Sequence, residues 1–270
     1  MIIELFGPPG AGKTTLAYAL ARRLKGSGHC VDLMLSCRPA EYRSSPSLPS
    51  GLSGLRVAAV PRRLARPLRE LLAIACRPSF MSDDVAIATG LLKIFSPINI
   101  AVAIRLSQYI LRLSHCWRRA SATRHIAVLD QGFVQLICSL ALLSCPPDQS
   151  PIAQALDFSP RADLLVRLEA PPHLLVARLQ ERERRQSATE RLFELDLETN
   201  LRSIGIIDQL DRLLLDRGQP VIRAISTDRR SLSDSAAVIE TAVLARSGAA
   251  RGLTAQSRPC AANSTGSVVT

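Results

Sequence analysis

The stretch Gly7-Pro8-Pro9-Gly10-Ala11-Gly12-Lys13-Thr14-Thr15 matches G-x-x-x-x-G-K-[ST] at every fixed position. The chemistry this spacing serves is phosphate binding. Gly7, Gly10 and Gly12 let the backbone wrap with its N–H groups pointing inward, an anion nest. Lys13 is placed to reach the β and γ phosphates of ATP, and the Thr14 hydroxyl to bind Mg²⁺. The alternative is a tight structural turn. A chance match somewhere in a chain this long has a probability of about one in a hundred. Lys13 adds weight: with Lys25 and Lys93 it makes up all the lysine in a chain otherwise rich in arginine.

Two further groups could act on a bound phosphate. In VLDQG an apolar run ends at Asp130. A carboxylate there can order the water shell of Mg²⁺ or take a proton from an acceptor hydroxyl. It can equally cap the helix or turn that follows. In ARLQERERR, Arg178, Arg182 and Arg185 fall at i, i+4 and i+7, one side of a helix. The other reading of that run is a solvated helix stapled by Glu181 to Arg185.

These elements have to be positioned by something, and the apolar pattern supplies it. IIELF (Ile2 to Phe6) reads as a buried parallel strand, followed by the glycine loop and by a helix in TLAYALARRL. Further strands are expected in CVDLMLS (Cys30 to Ser36), HIAVLDQG (His125 to Gly132), ADLLVRLEA (Ala162 to Ala170) and PVIRAIST. Helices are expected in VQLICSLALL, in PPHLLVARLQERERR, from Glu190 to Arg217 despite Gly205, and from about Ser233 to Arg246. The segment 38–60 is rich in Ser, Pro and Gly and reads as a loop; 61–120 reads as three or so helices broken at Pro78 and Pro97. Strands alternating with helices imply an α/β fold with a five-stranded parallel sheet and a helical insert between strands 2 and 3.

On these motifs the chain resembles the P-loop kinases of the nucleotide-kinase type, the thymidylate-kinase-like group above all. The resemblance runs from Met1 to about Arg246, and the phosphate loop is its specific part. It implies a three-layer P-loop fold over residues 1–247, with the helical insert on the acceptor side and an arginine-rich lid after strand 4. It implies that Asp130, at the end of the third strand, is the metal-ordering carboxylate, and that Arg178 and Arg182 close over the phosphates. Arg38, near a proline at the end of the second strand, corresponds to an acceptor-facing arginine. The alternative for Arg38 is a surface loop residue, and Arg43 is weaker. Where the family often has Glu or Arg after the carboxylate, this chain has Gln131, which cannot ionise. The resemblance leaves a homodimer open. Tyr109 and Trp117 in the insert read as core, and His115 as structural or surface.

Composition narrows the alternatives. The net charge is +11, but the arginines are dispersed and aromatics are only 4%, which argues against nucleic acid as the partner. The seven cysteines include no CxxC pair, so neither a disulfide frame nor a zinc site is indicated. The N-terminus reads as a strand and not as a secretory leader, and the longest apolar runs are too short to span a bilayer, so a cytoplasmic location is the expectation. Residues 248–270 read as a disordered tail. The expected activity is Mg-assisted, in-line transfer of the γ-phosphate of ATP to a small-molecule acceptor: a nucleotide, a nucleoside or a sugar-like compound. The competing expectation is an ATPase or GTPase switch that hydrolyses nucleotide without such an acceptor. The chain lacks a guanine-reading NKxD and an LSGGQ signature, and Asp130-Gln131 is a poor match to an acidic motor pair.

Overall fold

The architecture comes from a computed structural model. It describes residues 1–35, 82–97, 100–144, 149–185, 197–227 and 229–256. The apolar run at the N-terminus forms β1 (Ile2–Phe6), buried at every position. It is the centre of a parallel sheet of order β2-β3-β1-β4-β5, with β2 Val31–Met34, β3 Ile126–Leu129, β4 Leu164–Glu169 and β5 Val221–Ile225. This is the α/β fold with a five-stranded parallel sheet expected from the strand, loop and helix pattern.

A strand turns successive side chains to opposite faces, and β1 divides its residues accordingly. Ile3 and Leu5 face the layer made by α1 (Lys13–Gly26) and the last helix, through Leu16, Leu20, Leu24, Ala236, Ile239 and Val243. Ile2 and Phe6 face the other layer. That layer holds α2 (Ser82–Ile94) and α3 (Ile100–Ala122), which precede β3. It also holds α4 (Phe133–Leu143), α5 (Gln149–Phe158) and α7 (Leu197–Asp216). Helix α6 (Pro172–Arg185) follows β4, and α8 (Arg229–Gln256) closes the described chain. Arg23 and Ser27 of α1 both hydrogen-bond the Glu240 carboxylate of α8, at 2.8 and 2.5 Å.

The helical insert between β2 and β3 is present in its described part, α2 and α3. Trp117 is buried and meets Phe133 edge to face, with ring centroids 5.2 Å apart. Asp84, buried on α2, pairs with Arg118 of α3 at 2.8 Å, and His115 Nδ1 lies 3.2 Å from the same guanidinium. Trp117 is therefore core, as read from the sequence, and His115, read as structural or surface, packs beside Arg118 on its own helix.

Two helices differ from the sequence pattern, α5 and α8, and a third, α7, is as expected. Helix α5 went unrecognised because Pro151 breaks the period; it lies in the first turn, where the missing N–H has no intrahelical partner to lose. Helix α7 passes through Gly205 without interruption, because Ile206, Ile207 and Leu210 on the same stretch are buried in the core. Helix α8 extends to Gln256, past the expected stop at Arg246. The expected loop at 38–60, the first part of the block at 61–120, and Arg38 and Arg43 lie outside the described residues.

Candidate active site

The site stands at the carboxyl ends of the parallel strands. There β1, flanked by β3 on one side and β4 on the other, gives the sheet its topological switch point. The phosphate loop leaves β1 at Gly7, whose φ is 150°, and passes Gly10 at 83° and Gly12 at 94°. Side chains rarely adopt these angles. At Gly7 space is also closed, since an added Cβ would run into the Leu168 carbonyl. Helix α1 begins at Lys13 with no side-chain cap at Gly12 and no acid in its first turn. Its N-terminal dipole end is thus left for an anion.

Lys13 is buried, and its Nζ donates to the carbonyls of Gly7 at 2.6 Å and Pro8 at 3.0 Å. The ammonium therefore lies within the curl of its own loop. The Ala11 N–H donates to the Pro8 carbonyl at 3.2 Å, which closes the turn through Pro9 and Gly10. Thr15 follows on the exposed side of α1.

From the next strand, Asp130 stands one residue beyond β3 and is almost fully buried. Its Oδ2 accepts from the Thr14 hydroxyl at 2.7 Å. A hydroxyl and a carboxylate, residues 116 apart in sequence, thus meet at the start of α1. Both are hard oxygen donors of the kind Mg²⁺ takes, so the pair fits that ion. Gln131 lies beside them, with its Oε1 3.4 Å from the Tyr109 hydroxyl of α3, a long contact. Tyr109 is partly buried and packs against the core, as expected, with only its hydroxyl turned to Gln131.

Arg178 reaches the loop from α6. Its Nη1 donates to the Gly10 carbonyl and to Ser226 Oγ, both at 3.1 Å, and its Nη2 to the Thr227 carbonyl at 3.3 Å. All these partners are neutral oxygens, so the guanidinium charge stands at the loop unneutralised by them. Arg182, one turn on, is half-buried on the same helix, and Arg184 pairs at 3.8 Å with Glu181. The side chain of Arg185 lies outside the described residues.

The sequence reading missed three contributors. Glu4 is the charged residue in IIELF, and it points to the α4 side of the sheet. Its carboxylate accepts the Val134 N–H at 2.6 Å and the Gln135 N–H at 3.4 Å, capping α4 from below. Burial pushes its carboxyl up to about 7, against the downward pull of those backbone N–H groups. Gln135, buried on α4, accepts the Gly7 N–H through Oε1 at 3.1 Å. Ser226, fully buried after β5, carries the Arg178 contact. A charge inside a fully apolar strand, and a polar residue in FVQLIC, were the available signals.

No family model matches this chain. No curated protein matches it either. Among solved structures it is similar to deoxyadenosine kinase from M. mycoides. With dCTP bound, that structure is 12% identical over 91% of this chain and 100% of the other, with a TM-score of 0.44. The same enzyme with dCMP and dCDP gives 13%, the same coverages and 0.45; with dATP it gives 12%, 87% and 96%, and 0.41. At that level of likeness the reading of the site rests on the chain's own geometry. Among the described residues, no helix is long and apolar enough to cross a membrane.

Proposed function

We propose that the chain is a phosphotransferase that takes the γ-phosphate of ATP, with Mg²⁺, to a small-molecule acceptor of the nucleotide, nucleoside or sugar-like class. The observation that carries this reading is the Thr14–Asp130 hydrogen bond at 2.7 Å, made at the mouth of a complete phosphate loop. A phosphate loop alone is shared by many nucleotide-binding proteins. A buried carboxylate brought onto its threonine supplies the second half of a metal–phosphate site.

The residues divide the work as follows. Gly7 to Thr15 cradle the phosphates with backbone N–H groups and the start of α1. Lys13, now on the Gly7 and Pro8 carbonyls, swings its ammonium onto the phosphates. Thr14 and Asp130 hold Mg²⁺, which when bound neutralises charge on the phosphate oxygens. Asp130 Oδ2 is already engaged by Thr14, which supports the metal-holding role over that of a base. Arg178 adds a fixed positive charge where negative charge develops during transfer, and Arg182 is proposed to join it. Arg38 is proposed to contact the acceptor.

The test is phosphoryl transfer from labelled ATP with Mg²⁺ to a panel of nucleoside monophosphates, nucleosides, sugars and aminoglycosides, with release to water recorded in parallel. Label on one acceptor class is the expected result. Hydrolysis insensitive to every acceptor would replace this reading by the ATPase switch.

A further inference from the structure

The phosphate loop has an anchor that no motif marks. Gly7 is held through both of its flanking peptide groups: Lys13 Nζ donates to its carbonyl at 2.6 Å, and its N–H donates to Gln135 Oε1 at 3.1 Å. The two holds differ in what happens to them when phosphate arrives. Lys13 Nζ has three N–H donors and spends two of them on the Gly7 and Pro8 carbonyls, so a phosphate has to share the ammonium with the loop itself. The Gln135 bond involves no group the phosphate needs.

Gln135 is itself fixed. It lies in the first turn of α4 and is buried, and its own N–H and that of Val134 approach the Glu4 carboxylate of the neighbouring strand. Its amide orientation follows from the partner, since only the carbonyl oxygen accepts from an N–H. Gly7 has little freedom to compensate, with its φ of 150° and the Leu168 carbonyl closing the space beside it.

We infer that Gln135 is a positioning residue of the phosphate loop: it keeps the Gly7 end of the loop in place when the Lys13 ammonium is drawn toward phosphate. This rests on the proposed ATP site and adds a residue to it. It links the end of β3 to the loop through α4, so that the strand carrying Asp130 and the loop carrying Thr14 keep their register.

The test uses the full chain and two variants. Gln135→Met keeps the volume and removes the acceptor. Gln135→Asn keeps an amide but is one methylene short of Gly7, and it gives the reading should the Met variant not fold. Three quantities are measured: ATP affinity by titration, melting temperature without nucleotide, and the Gly7 amide proton shift by NMR. The expected result is about a tenfold loss of ATP affinity, the worth of one buried backbone hydrogen bond. It comes with an upfield Gly7 amide, and in Gln135→Met also with a lower nucleotide-free melting point, because the buried Gly7 N–H loses its acceptor; the loss of affinity in the folded protein is the reading that decides. A purely structural Gln135 would lower the melting point and leave the affinity of the folded protein intact, and that result overturns the inference. Wild-type protein that binds no ATP would instead overturn the proposed function, so the two failures are distinguishable.

Discussion

The phosphate-loop side and the helical-insert side of this molecule, the proposed donor and acceptor sides, are built in different ways. On the donor side the working groups are close in sequence or fixed by strand ends. Loop, Lys13 and Thr14 form one continuous run, and Asp130 is delivered by β3 onto Thr14. On the proposed acceptor side, α2 and α3 present apolar faces to the core, tied together by the Asp84–Arg118 pair, with Tyr109 packed against that core. Gripping phosphate is a task for backbone N–H groups and a few charges at set spacing. Choosing an acceptor is a task for the shape between helices, and shape has no short code. The phosphate grip can therefore be written into a handful of adjacent residues, while selectivity is spread over a domain.

That contrast can be broken first at its strongest point. Lys13→Ala should abolish ATP retention and reduce turnover by about a thousandfold, the scale of losing a preorganised charge at the reacting group. Equilibrium binding and steady-state turnover read it directly, and a variant that binds and turns over normally would remove the loop from the mechanism. Arg178→Ala comes next, with turnover expected to fall by about a hundredfold. Arg178→Lys should recover little, because one ammonium cannot span the Gly10 carbonyl, Ser226 Oγ and the Thr227 carbonyl. Wild-type kinetics in Arg178→Ala would return α6 to the role of a solvated surface helix.

Arg38→Ala probes the other side. It should raise the acceptor KM by about tenfold while leaving ATP affinity unchanged. A loss confined to ATP binding would erase the division between the two sides. The last effect is one on stability and belongs to Glu4. Its carboxyl moves from 4.5 to about 7 on folding, so between those pH values the folded chain keeps a proton that the unfolded chain has released. Stability then falls as pH rises through that window, by about 1.4 kcal/mol per pH unit, and is flat with respect to Glu4 on either side. Glu4→Gln, which still offers an acceptor to the Val134 N–H, should remove that slope in urea unfolding series. An unchanged slope would show that Glu4 does not titrate there.

The same division decided what the sequence disclosed. The strands, the loop and α1 were readable because apolar runs and glycine spacing are local signals. Asp130 was readable because it ends one such run. Glu4 and Gln135 were visible as polar residues out of place, yet their partners lie 130 and 128 residues away in the chain, and only folding brings them together. Arg178 was assigned to the phosphate side by the family resemblance, since its spacing alone fits a solvated helix. Its attachment to the Gly10 carbonyl and the turn after β5 is a tertiary fact. Helix α5 was hidden by Pro151, and Gly205 lowered the expectation for a helix that buried isoleucines then secured.

The central claim is that Asp130 and Thr14 form the metal-holding half of a phosphoryl-transfer site. Its most direct test is Asp130→Asn, with label transfer from ATP and ATP binding measured on the same preparation. The account predicts that nucleotide binding is retained and that transfer falls by about a hundredfold or more, because an amide keeps the contact to Thr14 but loses the charge that holds Mg²⁺. Full transfer in that variant would contradict it and make Asp130 a structural partner of the loop threonine.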